Sequence, residues 1–598
     1  MLAPEVGAEA TRPREGVSIR RSPGHAGSSE VTMTARRAPF RLPFLCACAA
    51  LAACGAAPRP ASPRADPRPG HDAAGTPFAG RVPLFEDIGS LHHPVTTSSE
   101  LAQRYFDQGL RLVYAFNHDE ARRAFEEAAR LDPGLAMARW GVALTLGPNI
   151  NLPAEPARER AAFEAVEQAR ALAASATARE RAYIEALAER HAGAPGRDRA
   201  ARGRAYASAM RELARRFPDD LDASVLFAEA LMDLRPWDLW TLDGRPQPGT
   251  EEIVSTLEGV LRRDPEHLGA NHYYIHAVEA SRAPERALPS AERLGGLAPG
   301  AGHLVHMPSH IFMRVGRYAD ASDANERAVL VDRRYIREQR PEGIYPMMYF
   351  PHNLYFLSVS ASMEGRSAVA VRAARELGAA VPDRHVRHMP MLEMFRPALL
   401  FALVRFGLWQ DVLAQPAPPS EQRYATGIWH YARGRALASL ASTERPDDAA
   451  REAAALRAVS SEIAGVTIGM NRAEDLLEIA SLVLESQIAS ERGQAGDAVR
   501  VLQAAVRVED TLRYFEPPDW PEPVRHTLGA ALLKAGRPRD AEAAYREDLA
   551  RNPDNGWSLS GLEQSLRAQG REEESAAAHE RFERAFARAD VRLSGSRP

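Results

Sequence analysis

From about Leu101 to Ala587, apolar residues recur at three- and four-residue spacing among Ala, Leu, Glu and Arg, and Pro or Gly breaks the pattern every dozen or so residues. That period lays apolar side chains along one stripe of a helix, so it predicts helix after short helix. No convincing alternation of apolar and polar residues marks a strand. An amphipathic hairpin of two short helices cannot bury its own apolar face, so such units must stack.

The break points carry a second pattern. Gly109, Ala121, Phe125, Ala128 and Pro133 match tetratricopeptide (TPR) positions 8, 20, 24, 27 and 32, and Leu528, Gly529, Ala541, Tyr545 and Pro553 match positions 7, 8, 20, 24 and 32. Small residues let the paired helices approach, the aromatic fills the gap, and proline stops the second helix. Pro265 and Pro299 stand 34 residues apart at position 32. The turns Gly316–Ala321 and Gly365–Ala370 are equivalent but 49 apart, one repeat plus fifteen residues inserted within about 334–350. Arg235–Pro248, with Trp237 and Trp240, is a second insertion, read evenly as a lid over the groove or as packing on a helix. Residues 155–217 and 383–513 are helical but fit the frame poorly, and Gln415–Ser420 reads as a softer joint. The expected fold is an all-α, right-handed superhelical TPR solenoid of antiparallel helix pairs.

Histidine is unevenly placed: seven of 18 lie between His267 and His352. His272 and His306 are one 34-residue period apart, as are His276 and His310, which puts them at positions 5 and 9 of successive first helices. His303 and His352 fall at position 2 and Glu279 at position 12. In the TPR family these positions face the concave groove. The preceding repeat adds Asp222, Glu229 and Asp233, and Tyr355 follows His352 into the groove. Pro308 is the weak point, because a kink there turns His310 away.

Imidazoles and carboxylates on neighbouring helices suit a divalent metal such as Zn, Fe or Mn. The expected ligands are His272, His276, His306, His310 and Glu279, with Asp222, Glu229, Asp233, His303, His352 and Tyr355 lining the groove. The competing reading is a metal-free polar groove whose histidines bond one another or an acidic peptide. Tyr514–Trp520 reads as a Pro-stiffened cap on its neighbour rather than a lining of the groove mouth. The zinc-protease motif H-E-x-x-H, phosphate loops, dinucleotide glycine patterns and serine elbows are not found.

Asn271–Ser281, Gly302–Tyr318, Tyr349–Phe356 and Gly556–Leu559 resemble motifs of a group of uncharacterised bacterial lipoprotein-like TPR proteins. The resemblance covers most of residues 100–570 and implies a TPR solenoid; it transfers no catalytic residue.

The chain has 598 residues and a net charge of −4, which gives no basic footprint for nucleic acid. All three cysteines lie at 46, 48 and 54. Arg36, Arg37 and Arg41 precede the uncharged run Leu42–Ala53, too short to span a bilayer but suited to a signal peptide, and Leu51–Cys54 resembles a bacterial lipobox. Cys54 is the expected lipidation site; a plain signal cut at a small-residue site is the alternative. The expected organisation is a leader and signal over 1–53, with Met33 a natural start, and a lipidated cysteine and Pro/Ala-rich tether over 54–98. An N-terminal solenoid with the groove follows over 99–382, then a C-terminal helical region over 383–598. The leading functional expectation is an envelope scaffold, anchored by lipid to the outer membrane, that binds a protein or peptide in its groove with or without a metal. The alternative is a metal-dependent hydrolase or oxidoreductase using the same cluster, with Glu279 or Glu229 as base.

Overall fold

A computed structural model describes residues 82–597, apart from 154, 194–197 and 441–446. The signal segment, Cys54 and most of the tether lie outside the described residues. From residue 79 onward the chain clusters as one compact unit. Among the described residues it is helical apart from loops and one two-residue ribbon, Thr467–Ile468 with Asn471–Arg472. No described helix is long and apolar enough to cross a membrane.

The helices pair in antiparallel hairpins, beginning with Glu100–Tyr114 and His118–Leu131. The TPR packing rule is visible atom by atom. A Cβ added to Gly109 or to Gly141 would stand 2.6 or 2.4 Å from the Phe125 ring, so that ring is wedged between the first helices of two successive pairs. Tyr545 fills the same role between Gly529 and Gly561, where an added Cβ would lie 2.3 and 2.1 Å away. The protein is therefore an all-α TPR solenoid, shown by its own packing.

The equivalent turns also agree. At Gly316 and Gly365 the backbone is left-handed, and the next amide closes back on the first helix (Arg317 to Phe312 O, 2.8 Å; Arg366 to Ala361 O, 2.9 Å). The first hairpin makes the same closure, Asn117 N to Leu112 O at 3.0 Å, but its left-handed residue is Phe116 at φ +54°. An aromatic residue there is strained by about 1–3 kcal/mol.

Every residue of Leu268–Val278 is buried. An open solenoid leaves the concave side of such a helix in water; here other parts of the chain cover it. The C-terminal pairs also return against the middle ones. Trp557 Nε1 donates to Ser362 O, and the Asp590 carboxylate accepts from the Ser367 and Ala368 amides.

Candidate metal centre

The two histidine helices are built alike. Leu268–Val278 carries His272 and His276 one turn apart. Gly302–His306 and Pro308–Arg314 carry His303, His306 and His310. Pro308 does not turn His310 away: Met307 keeps helical dihedrals of −50° and −35°, so proline opens a second helical segment along the same path. His352 enters from Phe350–Met363. The fifteen-residue insertion lengthens the preceding helix to Tyr318–Gln339 and adds the π-turn Tyr345–Tyr349, which sets Tyr349 4.9 Å from the His303 ring.

Six imidazoles meet in the interior. His272, His276 and His303 form one group and His306, His310 and His352 another, each with donor atoms within 4.8 Å of one another. The groups abut: the His276 and His310 rings are 5.4 Å apart, and His303 and His306 5.7 Å. His272, His303, His306 and His310 are at most 2% exposed and His276 is 7% exposed, while His352 is partly buried.

The tautomers follow from the partners. His272 Nδ1 faces the Tyr114 carbonyl at 2.6 Å. His276 Nδ1 and His310 Nδ1 face the two oxygens of Glu279 at 2.7 and 2.6 Å. His306 Nδ1 faces Asn325 Oδ1 at 2.7 Å, and the Asn325 amide is oriented by its Nδ2 donating to Ala321 O at 2.8 Å. Each partner oxygen can only accept, so all four imidazoles carry a proton on Nδ1, and in the neutral form that a metal needs they present a bare Nε2.

Those bare atoms converge. His306 Nε2 and His310 Nε2 are 2.9 Å apart; His272 Nε2 lies 3.2 Å from His303 Nε2, from which it can accept a hydrogen bond. His276 Nε2 and His303 Nδ1 are buried without a partner. Two unprotonated nitrogens this close repel unless a cation lies between them. At metal–nitrogen distances of about 2.0 Å, two imidazoles on one ion stand about 2.8 Å apart at a right angle and about 3.3 Å at a tetrahedral one. The His306–His310 separation of 2.9 Å falls in that interval.

Electrostatics agree. Burial, then neighbouring imidazoles, holds His272, His303 and His306 well below the ordinary histidine range. Burial and His310 take His352 down to about 3. Burial lowers His276 too, against the pull of Glu279. Burial opposes charge on Glu279, but His310 and the two imidazole hydrogen bonds outweigh it and keep the carboxylate ionised. Neutral imidazoles oriented by hydrogen-bonded partners are what a metal requires.

Access is narrow. A cavity of about 20 Å³, room for one water, lies against His276 and Glu279 beneath Trp237, Trp240 and Tyr514. Both readings of the insertion are met: Trp237 covers the cavity, its ring edge-on to His276 at 5.5 Å and its Nε1 donating to Asn151 Oδ1, while Trp240 packs on the histidine helix, its Nε1 donating to Ala277 O at 2.8 Å. Tyr514 corrects the expectation for its loop. Its hydroxyl donates to Glu279 Oε2 at 2.9 Å, while Trp520, at the far end, packs on Phe401 and Tyr431 as a cap. Outside the lid, a cleft of about 1160 Å³ shares Trp237, Trp240 and Tyr514 with the cavity.

Several expected groove residues stand elsewhere. Asp222 accepts from His93 Nδ1 at 2.7 Å and from the Tyr114 hydroxyl at 2.7 Å, with His267 Nε2 at 3.3 Å, beside a separate cleft. Glu229 and Asp233 face Arg190: its guanidinium bonds Asp233 and stands 3.9 Å from Glu229. Tyr355 lies one helical turn past His352 and packs on Phe395. In each case a partner distant in sequence draws the side chain away. His303 and His352, expected only to line the groove, stand among the donors. Glu279 is not free to act as a base, because three hydrogen bonds occupy its oxygens. The sequence reading missed Asn325, Tyr349 and Phe116; only the departure of Phe116 from glycine at the equivalent turns signals one of them.

Fold and site together define a class: an all-α protein of TPR helix pairs that encloses a buried cluster of imidazoles. No protein-family model and no curated protein sequence matches the chain. Solved structures similar to it include a human IFIT1 dimer with m7Gppp-AAAA (11% identity, 76% of this chain and 90% of that one, TM-score 0.34). The P58(IPK) TPR domain is 12% identical over 78% of this chain and 98% of that one, with a TM-score of 0.20. Yeast Tom70 is 10% identical over 82% and 92%, with a TM-score of 0.25. Likenesses this slight add nothing to a fold and site that stand on the chain's own packing.

Proposed function

We propose that the protein is a metal-dependent enzyme whose histidine cluster holds a transition metal beneath the Trp237–Tyr514 lid. One observation carries this reading: unprotonated imidazole nitrogens, fixed by acceptor-only partners, face one another at 2.9 Å in the interior. A metal-free core gains nothing from that arrangement, because each buried lone pair forfeits a hydrogen bond. A bound ion supplies Lewis-acid or redox chemistry; the chain orients its ligands and admits a small substrate from the outer cleft. A protein or peptide partner, if bound, docks on other faces of the helical stack, since its own side chains cover the histidine face. The lipobox-like segment supports anchoring at the cell envelope through Cys54, and radiolabelled palmitate retained by wild type but not by Cys54→Ser is the expected result.

Elemental analysis of the purified protein, followed by thermal melts with added Zn, Mn, Fe and Cu, tests the metal. Copurifying metal, or a melting temperature raised by one of these ions, is expected. Metal-free protein that none of the four stabilises ends the proposal. The enzymatic half is checked by assaying metal-loaded wild type beside His276→Ala on esters, phosphate esters and phenols. Turnover that survives the substitution, or turnover of none of them, counts against it.

A further inference from the structure

The cluster is not one site with spare donors; it is the same half-site made twice. In the first, positions 5 and 9 of one repeat (His272, His276) join position 2 of the next (His303). In the second, positions 5 and 9 of that next repeat (His306, His310) join position 2 of the following one (His352). Each half also has its own phenylalanine wall. The Phe116 ring lies 4.5, 5.8 and 5.4 Å from the His272, His276 and His303 rings. The Phe356 ring lies 4.7, 4.7 and 5.3 Å from His306, His310 and His352. Glu279 ties the halves together by accepting from one imidazole of each. A repeat that generates a three-imidazole set once generates it again one repeat later, with 34 residues between the paired members and 49, across the insertion, between His303 and His352.

Resting on the metal reading above, we infer that the cluster holds two copper ions side by side, one in each three-histidine half-site. Three arguments select copper. Each donor set is wholly imidazole, with Glu279 engaged by the Nδ1 protons of His276 and His310 rather than counted as a ligand; such nitrogen donors suit copper, zinc, iron or nickel, whereas Mg and Mn take oxygen ligands. Three nitrogens suffice for monovalent copper, while zinc on three imidazoles takes water as its fourth ligand, and the pocket has room for about one water between two sites. Charge is the third. Two divalent ions bring four positive charges into a buried site faced by the single carboxylate of Glu279, and two monovalent ions bring half as many.

The test loads the full chain anaerobically with monovalent copper, with zinc, or with both in equal amounts, and counts ions retained after desalting. Two copper ions per chain are expected, with copper retained over zinc in competition. His272→Ala and His306→Ala, which remove one imidazole from each half without touching Glu279, should each retain one ion, and the double variant none. His272→Gln and His306→Gln, with circular dichroism and melting curves, guard against misfolding. X-ray absorption of the loaded wild type should show a nitrogen shell of three per copper. One ion per wild-type chain, a preference for zinc, or loss of both ions from a folded single variant overturns the copper pair and leaves the metal reading standing. No ion of either metal overturns both.

Discussion

Glu279 shows how much rests on a single side chain. Its oxygens accept from His276, His310 and Tyr514, so it fixes two tautomers and one lid residue at once. Glu279→Gln keeps the shape but removes one acceptor, leaving one imidazole free to turn. Metal affinity should fall about 10–100-fold, read by competition with a chelator. Phe116 presents two opposed effects. Phe116→Gly relieves backbone strain of about 1–3 kcal/mol, yet deletes a buried ring worth about 3–5 kcal/mol. The ring wins, so denaturant titration should find the variant less stable. At this scale the sequence exposed the histidines, because their 34-residue spacing is written along the chain. It did not expose Asn325 or Tyr514, whose roles need neighbours 19 and 235 residues away.

Among elements, the glycine–aromatic wedge sets how closely hairpins stack. Gly529→Val pushes a branched side chain into the Tyr545 ring, and a loss of about 1–3 kcal/mol is expected from a chemical denaturation midpoint, with the site far away unaffected. The wedge was legible because it depends on residue size at fixed offsets within one repeat and its neighbour. The insertions were legible as interruptions of the period. Their destinations were not: Trp237 reaches His276, and Tyr349 reaches His303, through contacts made only after the stack has folded.

For the whole molecule, buried neutral histidines outside the site link stability to pH. Burial takes His118 down to about 4, and burial with the Arg190 and Arg202 charges takes His191 down to about 3. A folded value below the unfolded 6.5 means the unfolded chain binds the extra proton first. The stability these two histidines contribute is therefore complete above about pH 6.5 and drains away as pH falls toward 3–4, by on the order of 3–5 kcal/mol for each group. Buried carboxyls such as Asp332 and Asp519, pushed up to about 7, act in the opposite direction over the same range, so the histidine contribution is read as the difference in melting-temperature slope between wild type and variant from pH 7 to pH 4. His118→Gln or His191→Gln should flatten that slope; an unchanged slope would show that other groups control it.

The sequence by itself determined the helices, their pairing and the register that brings histidines to repeat positions 2, 5 and 9, because periodicity and residue size act locally. Tertiary structure decided what those histidines face. Burial beneath Phe116, Trp237 and Tyr514, together with acceptors contributed by other segments of the chain, turned an expected open groove into a closed pocket of bare nitrogens. Solvent exclusion and hydrogen-bond direction are properties of the assembled stack, and no single repeat contains them.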